Sequence, residues 1–290
     1  MESPKEDIYK FFTDFQEKLY VEYGYTMDKL NHLLNYWWYN PLNSDKIYTE
    51  IGYHSYHLHY AKKFNDIRHK VKKVLEIGVF RGHSMLMWRE YFPNAEIYGV
   101  DISYSPHHFG VNAKELCKGK DRIHLYEMDA CTPSNVKLLM EEIGECDIII
   151  DDGSHHPLHQ LFSLMYYTDY LKKDGIFVVE DVFMSGGFDK GFDKGFLSDF
   201  DKPFKIYSKN HYFFNDVIKE LGTISNLEDY GLIADDKNKK KLLELSNDWD
   251  IDVKEPETYR LTFNDIDLDG NSRTMSFNNR QGIIFFTKKD

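Results

Sequence analysis

The sequence has 290 residues, with 36 Lys and Arg against 48 Asp and Glu and a formal net charge of −12. That balance excludes nucleic acid as a partner, because affinity for a phosphate backbone comes from clustered basic side chains. Cys117, Cys131 and Cys146 form neither a CxxC pair nor an even framework, which excludes a disulfide scaffold and a cysteine zinc site and fits a reducing compartment. No apolar run approaches the roughly 18 residues a membrane span needs. The opening MESPKEDIYKFF lacks the basic-then-apolar order of a secretory leader. The expectation is a soluble, acidic, cytoplasmic protein with no membrane partner.

Residues 6–23 repeat Ile8, Phe11, Phe12, Phe15 and Leu19 at helical spacing, and Met27, Leu30, Leu34 and Trp37 follow in the same rhythm. Asn40-Pro41 stops the second helix. These aromatic faces predict packing on a core or between subunits, hence a homo-oligomer. They make 1–68 an N-terminal helical extension, and 69–290 the main domain. From residue 70 short apolar strands alternate with helices: Val74–Gly78, Glu96–Asp101, Ile123–Met128, Cys146–Asp152 and Ile176–Glu180. Continuous apolar strands between helices predict an α/β fold, a mostly parallel, doubly wound, Rossmann-like sheet covered on both faces.

The stretch 183–272 reads as an insertion after strand five. It opens on a small repeat, Gly187-Phe-Asp-Lys then Gly191-Phe-Asp-Lys then Gly195-Phe196, which predicts a lid loop. Residues 235–250 read as a charged helix burying Leu242, Leu243 and Leu245. The chain then predicts a terminal antiparallel hairpin that pairs Thr274–Phe277 with Ile283–Phe286 across Asn278–Gly282.

The first strand runs through Glu76 into Gly78-Val-Phe-Arg-Gly82-His-Ser84. Two glycines there permit a tight strand-to-helix turn and a close ligand, with a helix N-terminus beyond. Asp101 ends strand two, where a carboxylate can accept both ribose hydroxyls. Asp129 ends strand three, within reach of an adenine amino group. The GxxxG spacing departs from the GxGxxG of dinucleotide sites and disfavours a nicotinamide oxidoreductase. The acids suit the cationic sulfonium and ammonium of S-adenosylmethionine.

Leu75–Ser84, Asp151-Asp-Gly-Ser-His155, Val179-Glu-Asp181 and the closing hairpin resemble the class I S-adenosylmethionine-dependent methyltransferases. More narrowly they resemble the metal-dependent macrocin and mycinamicin sugar O-methyltransferases. The resemblance covers roughly 44–182 and 273–288. Its strand order implies that strands four and five are neighbours, about 4.8 Å apart. Asp152, Glu180 and Asp181 then converge, and three such carboxylates call for a divalent cation. Oxygen ligands favour Mg2+, with Mn2+ or Ca2+ as alternatives. His155 stands where the family places a base, with a pKa suited to proton removal. Asp151 is a second base candidate, expected nearer the methionine end of the cofactor. Zinc held by His155, His156 and His159 is the competing metal reading, opposed by Pro157 at the helix start. Ser44-Asp-Lys46 and His54–Tyr60 resemble a segment bordering the cofactor, with Tyr56 and His59 turned toward the site.

The expected activity is methyl transfer to a hydroxyl of a small sugar or polyol, free or nucleotide-linked, in polysaccharide or natural-product tailoring. A catechol-type acceptor and a non-catalytic nucleotide-binding protein are the alternatives.

Overall fold

Five apolar runs form parallel strands: β1 (Lys73–Ile77), β2 (Glu96–Asp101), β3 (Ile123–Glu127), β4 (Cys146–Asp151) and β5 (Leu171–Phe183). The computed structural model describes residues 46, 56–104, 112–155, 157–183, 240, 241, 244, 248–254, 260–266, 272–278 and 281–289. The helices expected over 6–23 and 27–37, and the repeat at 187–196, lie outside these residues. So do Leu242, Leu243, Leu245 and His156; of the 235–250 stretch, Lys240, Lys241, Glu244 and Asp248 are helical.

Four further strands complete the chain: β6 (Trp249–Lys254), β7 (Arg260–Ile266), β8 (Ser272–Asn278) and β9 (Gln281–Lys288). The main sheet has seven strands in the order β3-β2-β1-β4-β5-β9-β6, and β9 runs antiparallel to both neighbours. The C-terminal antiparallel hairpin is β7–β8, a separate two-stranded sheet. The sequence pattern had paired Thr274–Phe277 with Ile283–Phe286 instead. Burial explains the difference. Ile283 and Phe285 join one core cluster while Ile284 and Phe286 join the other. A strand apolar on both faces belongs inside a covered sheet, so β9 is flanked on both edges and β8 pairs with β7.

The helices divide between the faces because alternate strand residues point to opposite sides. Val74, Ile148, Ile150 and Val178 face α1 (Tyr56–Phe64), α2 (His83–Tyr91) and the short α3 (Ala113–Leu116). Leu75, Ile77, Ile149, Phe177 and Val179 face α4 (Pro133–Ile143) and α5 (Pro157–Tyr167). On the first face Tyr60 meets Trp88 edge-on at 4.9 Å, and Phe64 meets Phe285 at 6.1 Å. Rings buried this way anchor α1 to the sheet, each worth about 1.5–3 kcal/mol in transfer alone. No helix among the described residues is long and apolar enough to cross a membrane.

Burial pushes the thiols of Cys117, Cys131 and Cys146 up to about 12. A thiol that high carries almost no thiolate at neutral pH. Iodoacetamide at mildly alkaline pH is therefore expected to leave all three unlabelled in the folded chain. It should label them once guanidinium chloride unfolds it, as mass spectrometry would read.

Candidate active site

The turn after β1 is held from two sides. Gly78 and Gly82 have φ +87° and +88°, and Phe80 between them has φ +50°. Asp101, at the end of β2, accepts hydrogen bonds on Oδ2 from the backbone N–H of Val79 and of Phe80, both 2.8 Å. From the other side the start of the Asp-Gly-Ser-His loop packs directly on the glycine. A Cβ placed on Gly78 would lie 2.1 Å from the Asp152 carbonyl oxygen. The Asp152 N–H donates to the Ile77 carbonyl at 2.9 Å. The turn and the end of β4 therefore form one unit. Phe80 is 54% exposed and Ile102, next to Asp101, is 73% exposed. Asp129 is exposed just beyond β3, and its Oδ1 accepts from the Cys131 N–H.

Glu76 behaves differently from the other two strand-end acids. It is fully buried and accepts a 2.7 Å hydrogen bond from Ser84 Oγ at the start of α2. Its other oxygen, Oε1, lies 3.2 Å from Lys46 Nζ. That ammonium also meets Glu180 at 2.9 Å and contacts Asp152 Oδ2. Tyr60 Oη donates to Glu180 Oε1, which Lys46 Nζ also meets. Burial raises the pKa of both Glu76 and Glu180, and Lys46 opposes that rise. Burial raises Tyr60 and Tyr56 as well, so both phenols stay protonated donors.

The rim of β5 depends on a break in its ladder. Consecutive strand residues normally point to opposite faces. The pairing of β5 with β9 shifts register between Val179 and Val182, and Asp181 takes φ +52°. A bulge re-aims side chains, and here Glu180 and Asp181 both reach the Asp152 side of the sheet. Gln160 of α5 donates to the Glu180 carbonyl at 2.9 Å within the bulge. Tyr56 of α1 donates to Asp181 Oδ1 at 2.7 Å and receives the Asp181 N–H at 3.2 Å. His155 also has positive φ, +57°, and its Nε2 lies 3.5 Å from Asp181 Oδ2. Non-glycine residues held at positive φ cost of order 1–3 kcal/mol each and cluster at functional sites.

Two overlapping ligand sets result: Asp152, His155 and Asp181, and Glu76, Asp152 and Glu180, with the donor atoms of each within 4.8 Å of one another. The inner set encloses the Lys46 ammonium. The outer set sits at the rim, where the His155 side chain is 37% exposed. Two carboxylate oxygens on a partly solvated edge fit a hard divalent cation with positions left for substrate or water, and the imidazole beside them is placed for a base. The sequence reading had grouped Asp152, Glu180 and Asp181. The structure sets Asp181 with His155, Glu180 with Glu76 and Lys46, and shares Asp152 between them.

Asp151 points to the opposite face of β4, where burial pushes it up to about 6 and the Gly153 N–H bonds its Oδ1 at 3.1 Å. His159 Nδ1 meets Ser154 Oγ at 2.6 Å. Among the described residues no ligand set holds two histidines. Tyr56, expected beside the cofactor, lies on Asp181, and His59 is partly exposed and joins neither acid set. Sequence reasoning placed Lys46 and Tyr60 in a segment bordering the cofactor but gave neither a contact with the acids. Tyr60 stands four residues after Tyr56, a spacing that puts both on one helix face. Lys46 carries no such signal, because its partners lie 106 and 134 residues away.

The glycine turn and the acids at the carboxyl edge of the sheet all fall within one stretch, 75–182, that is similar to a known domain family. Residues 75–182 match the family model described as a methyltransferase domain. The chain is 33% identical over 138 residues to 8-demethyl-8-alpha-L-rhamnosyl tetracenomycin-C 2'-O-methyltransferase of Streptomyces olivaceus, covering 45% of this chain and 34% of that one. It is 32% identical over 152 residues to mycinamicin VI 2''-O-methyltransferase of Micromonospora griseorubida, covering 50% and 36%. The chain thus spans about a third of the length of these curated relatives. Among solved structures, MycE methyltransferase from the mycinamycin biosynthetic pathway in complex with Mg and SAH is 31% identical. The match covers 48% of this chain and 37% of that chain, with a TM-score of 0.40.

Proposed function

We propose that the protein is an S-adenosylmethionine-dependent, divalent-metal-dependent O-methyltransferase acting on a hydroxyl of a sugar or polyol. The observation that carries this reading is the convergence of Asp152, His155 and Asp181 within 4.8 Å of one another, on a strand end welded to the glycine turn. The relatives' names, which specify methylation of sugar hydroxyls, support the acceptor class.

The residues divide the work. Gly78 and Gly82 shape the turn against which the methionine end lies, and Ser84 fixes Glu76 beneath it. Asp101 faces the ribose, while Ile102 and Asp129 flank the adenine. Asp151 lies on the far side of β4, toward the methionine end. Asp152 and Asp181 would hold the cation, with Glu180 behind them. A divalent ion there would polarise the acceptor hydroxyl and a neighbouring oxygen, and the sulfonium would supply the methyl group. His155 accepts the hydroxyl proton as the O–CH3 bond forms and the S–CH3 bond breaks. The first 40 residues and the 183–272 insertion, which lie outside the resemblance, are proposed to select the acceptor.

Methyl transfer from labelled S-adenosylmethionine to a panel of rhamnosides, nucleotide sugars and catechols tests this directly. Product is expected with a sugar acceptor, lost in EDTA and restored by Mg2+. Full activity in EDTA would remove the metal, and product with catechols alone would reassign the acceptor. His155→Ala is expected to lower kcat about 10²-fold with S-adenosylhomocysteine affinity unchanged by calorimetry.

A further inference from the structure

The inner acid set poses a separate question, because its centre already holds a positive charge. Lys46 is 1% exposed, and Glu76 and Glu180 are equally sealed at 0% and 1%. Among the described residues Lys46 is the cation paired with both of them. Neutral donors complete the pocket: Ser84 Oγ bonds the other oxygen of Glu76, and Tyr60 Oη bonds a Glu180 oxygen that Lys46 also meets. Buried carboxylates need a counter-charge, and an ammonium is a compact point charge with three donors. It therefore suits a pocket of three carboxylates.

We propose that Lys46 is a positioning residue that permanently fills one of two adjoining cation positions. The two positions share Asp152 as a bridging carboxylate. The second is the exchangeable divalent position at Asp152 and Asp181, beside His155, and for that half the inference rests on the function proposed above. By holding Asp152 Oδ2, Lys46 fixes the carboxylate that the exchangeable ion must use. It also keeps a second divalent ion out of the Glu76–Asp152–Glu180 pocket.

Mn2+ titration of the full chain, read by electron paramagnetic resonance, tests this on the wild type, Lys46→Met and Lys46→Arg. The wild type and Lys46→Arg are expected to bind one Mn2+. Lys46→Met is expected to bind two, close enough to show a spin-coupled signal. Because ligand binding stabilises the state it selects, Mn2+ should also raise the unfolding temperature of Lys46→Met more than that of the wild type. A folded Lys46→Met chain that binds one Mn2+ with wild-type affinity overturns the proposal and leaves the metal-dependent reading standing. So does a Lys46→Met chain that stays unfolded in excess Mn2+ while the wild type binds one. A wild type that binds none while Lys46→Met binds one supports the Lys46 assignment and removes the metal-dependent reading.

Discussion

Asp152→Asn is expected to abolish divalent-cation binding and to lower kcat by about 10³-fold or more, the several kcal/mol that Lewis-acid stabilisation supplies. Asp152 belongs to both acid sets and contacts the Lys46 ammonium, so on the proposed reading its charge would anchor the cation and fix that ammonium at once. Neutralising it leaves Asp181 as the one carboxylate of the outer set, too little to hold a hard cation at ordinary concentrations. The fold should survive, because Lys46 retains Glu76 and Glu180 and is not stranded as a lone buried charge. Steady-state rates at saturating S-adenosylmethionine, with Mn2+ binding measured on the same sample, check both halves. Retained cation affinity would move the metal away from the rim of β4 and β5. Lost affinity with retained turnover would make the cation irrelevant to methyl transfer.

The division between what was legible in the sequence and what was not follows the range of the interactions. Strands β1 to β5 were legible because each is a local apolar run, and the glycine turn because its two glycines stand four residues apart. Asp101 was legible as a strand-end acid. Its bonds to Val79 and Phe80 were not, since they depend on β2 pairing beside β1 in one register. The adjacency of Glu180 and Asp181 was misleading by its simplicity. A regular strand would send one of them to each face, and their joint arrival at Asp152 needs the register shift and the positive φ of Asp181. Nothing in the letters Val-Glu-Asp-Val announces that shift. Lys46 was legible only as part of a segment bordering the cofactor; its contacts were not, because its three partners come from three different strand ends. The hairpin was misassigned because alternation marks a strand without naming its partner, and the apolar double face of β9 decided that instead.

The tight approach at Gly78 gives the largest effect expected on the fold itself. Gly78→Ala should destabilise the protein by about 3 kcal/mol or more, seen as a fall in urea midpoint with an unchanged slope. Part of that cost is conformational, since alanine at φ +87° is held in the left-handed region, at about 1–2 kcal/mol. The rest is contact. The new Cβ would sit 2.1 Å from the Asp152 oxygen and 2.6 Å from Gly153 Cα, both backbone atoms that no side-chain rotation can clear. Gly119→Ala separates the two terms, because Gly119 also has positive φ, +71°, yet a Cβ there meets nothing within 4 Å. Gly119→Ala should therefore show only the conformational cost. The excess at Gly78 measures how hard the turn presses on the end of β4. Relief of that clash would push Asp152 away from Asp181, so the same variant, refolded at low temperature, should bind Mn2+ more weakly than Gly119→Ala. Equal losses of stability in the two variants would mean that the cofactor turn and the cation rim are not mechanically joined.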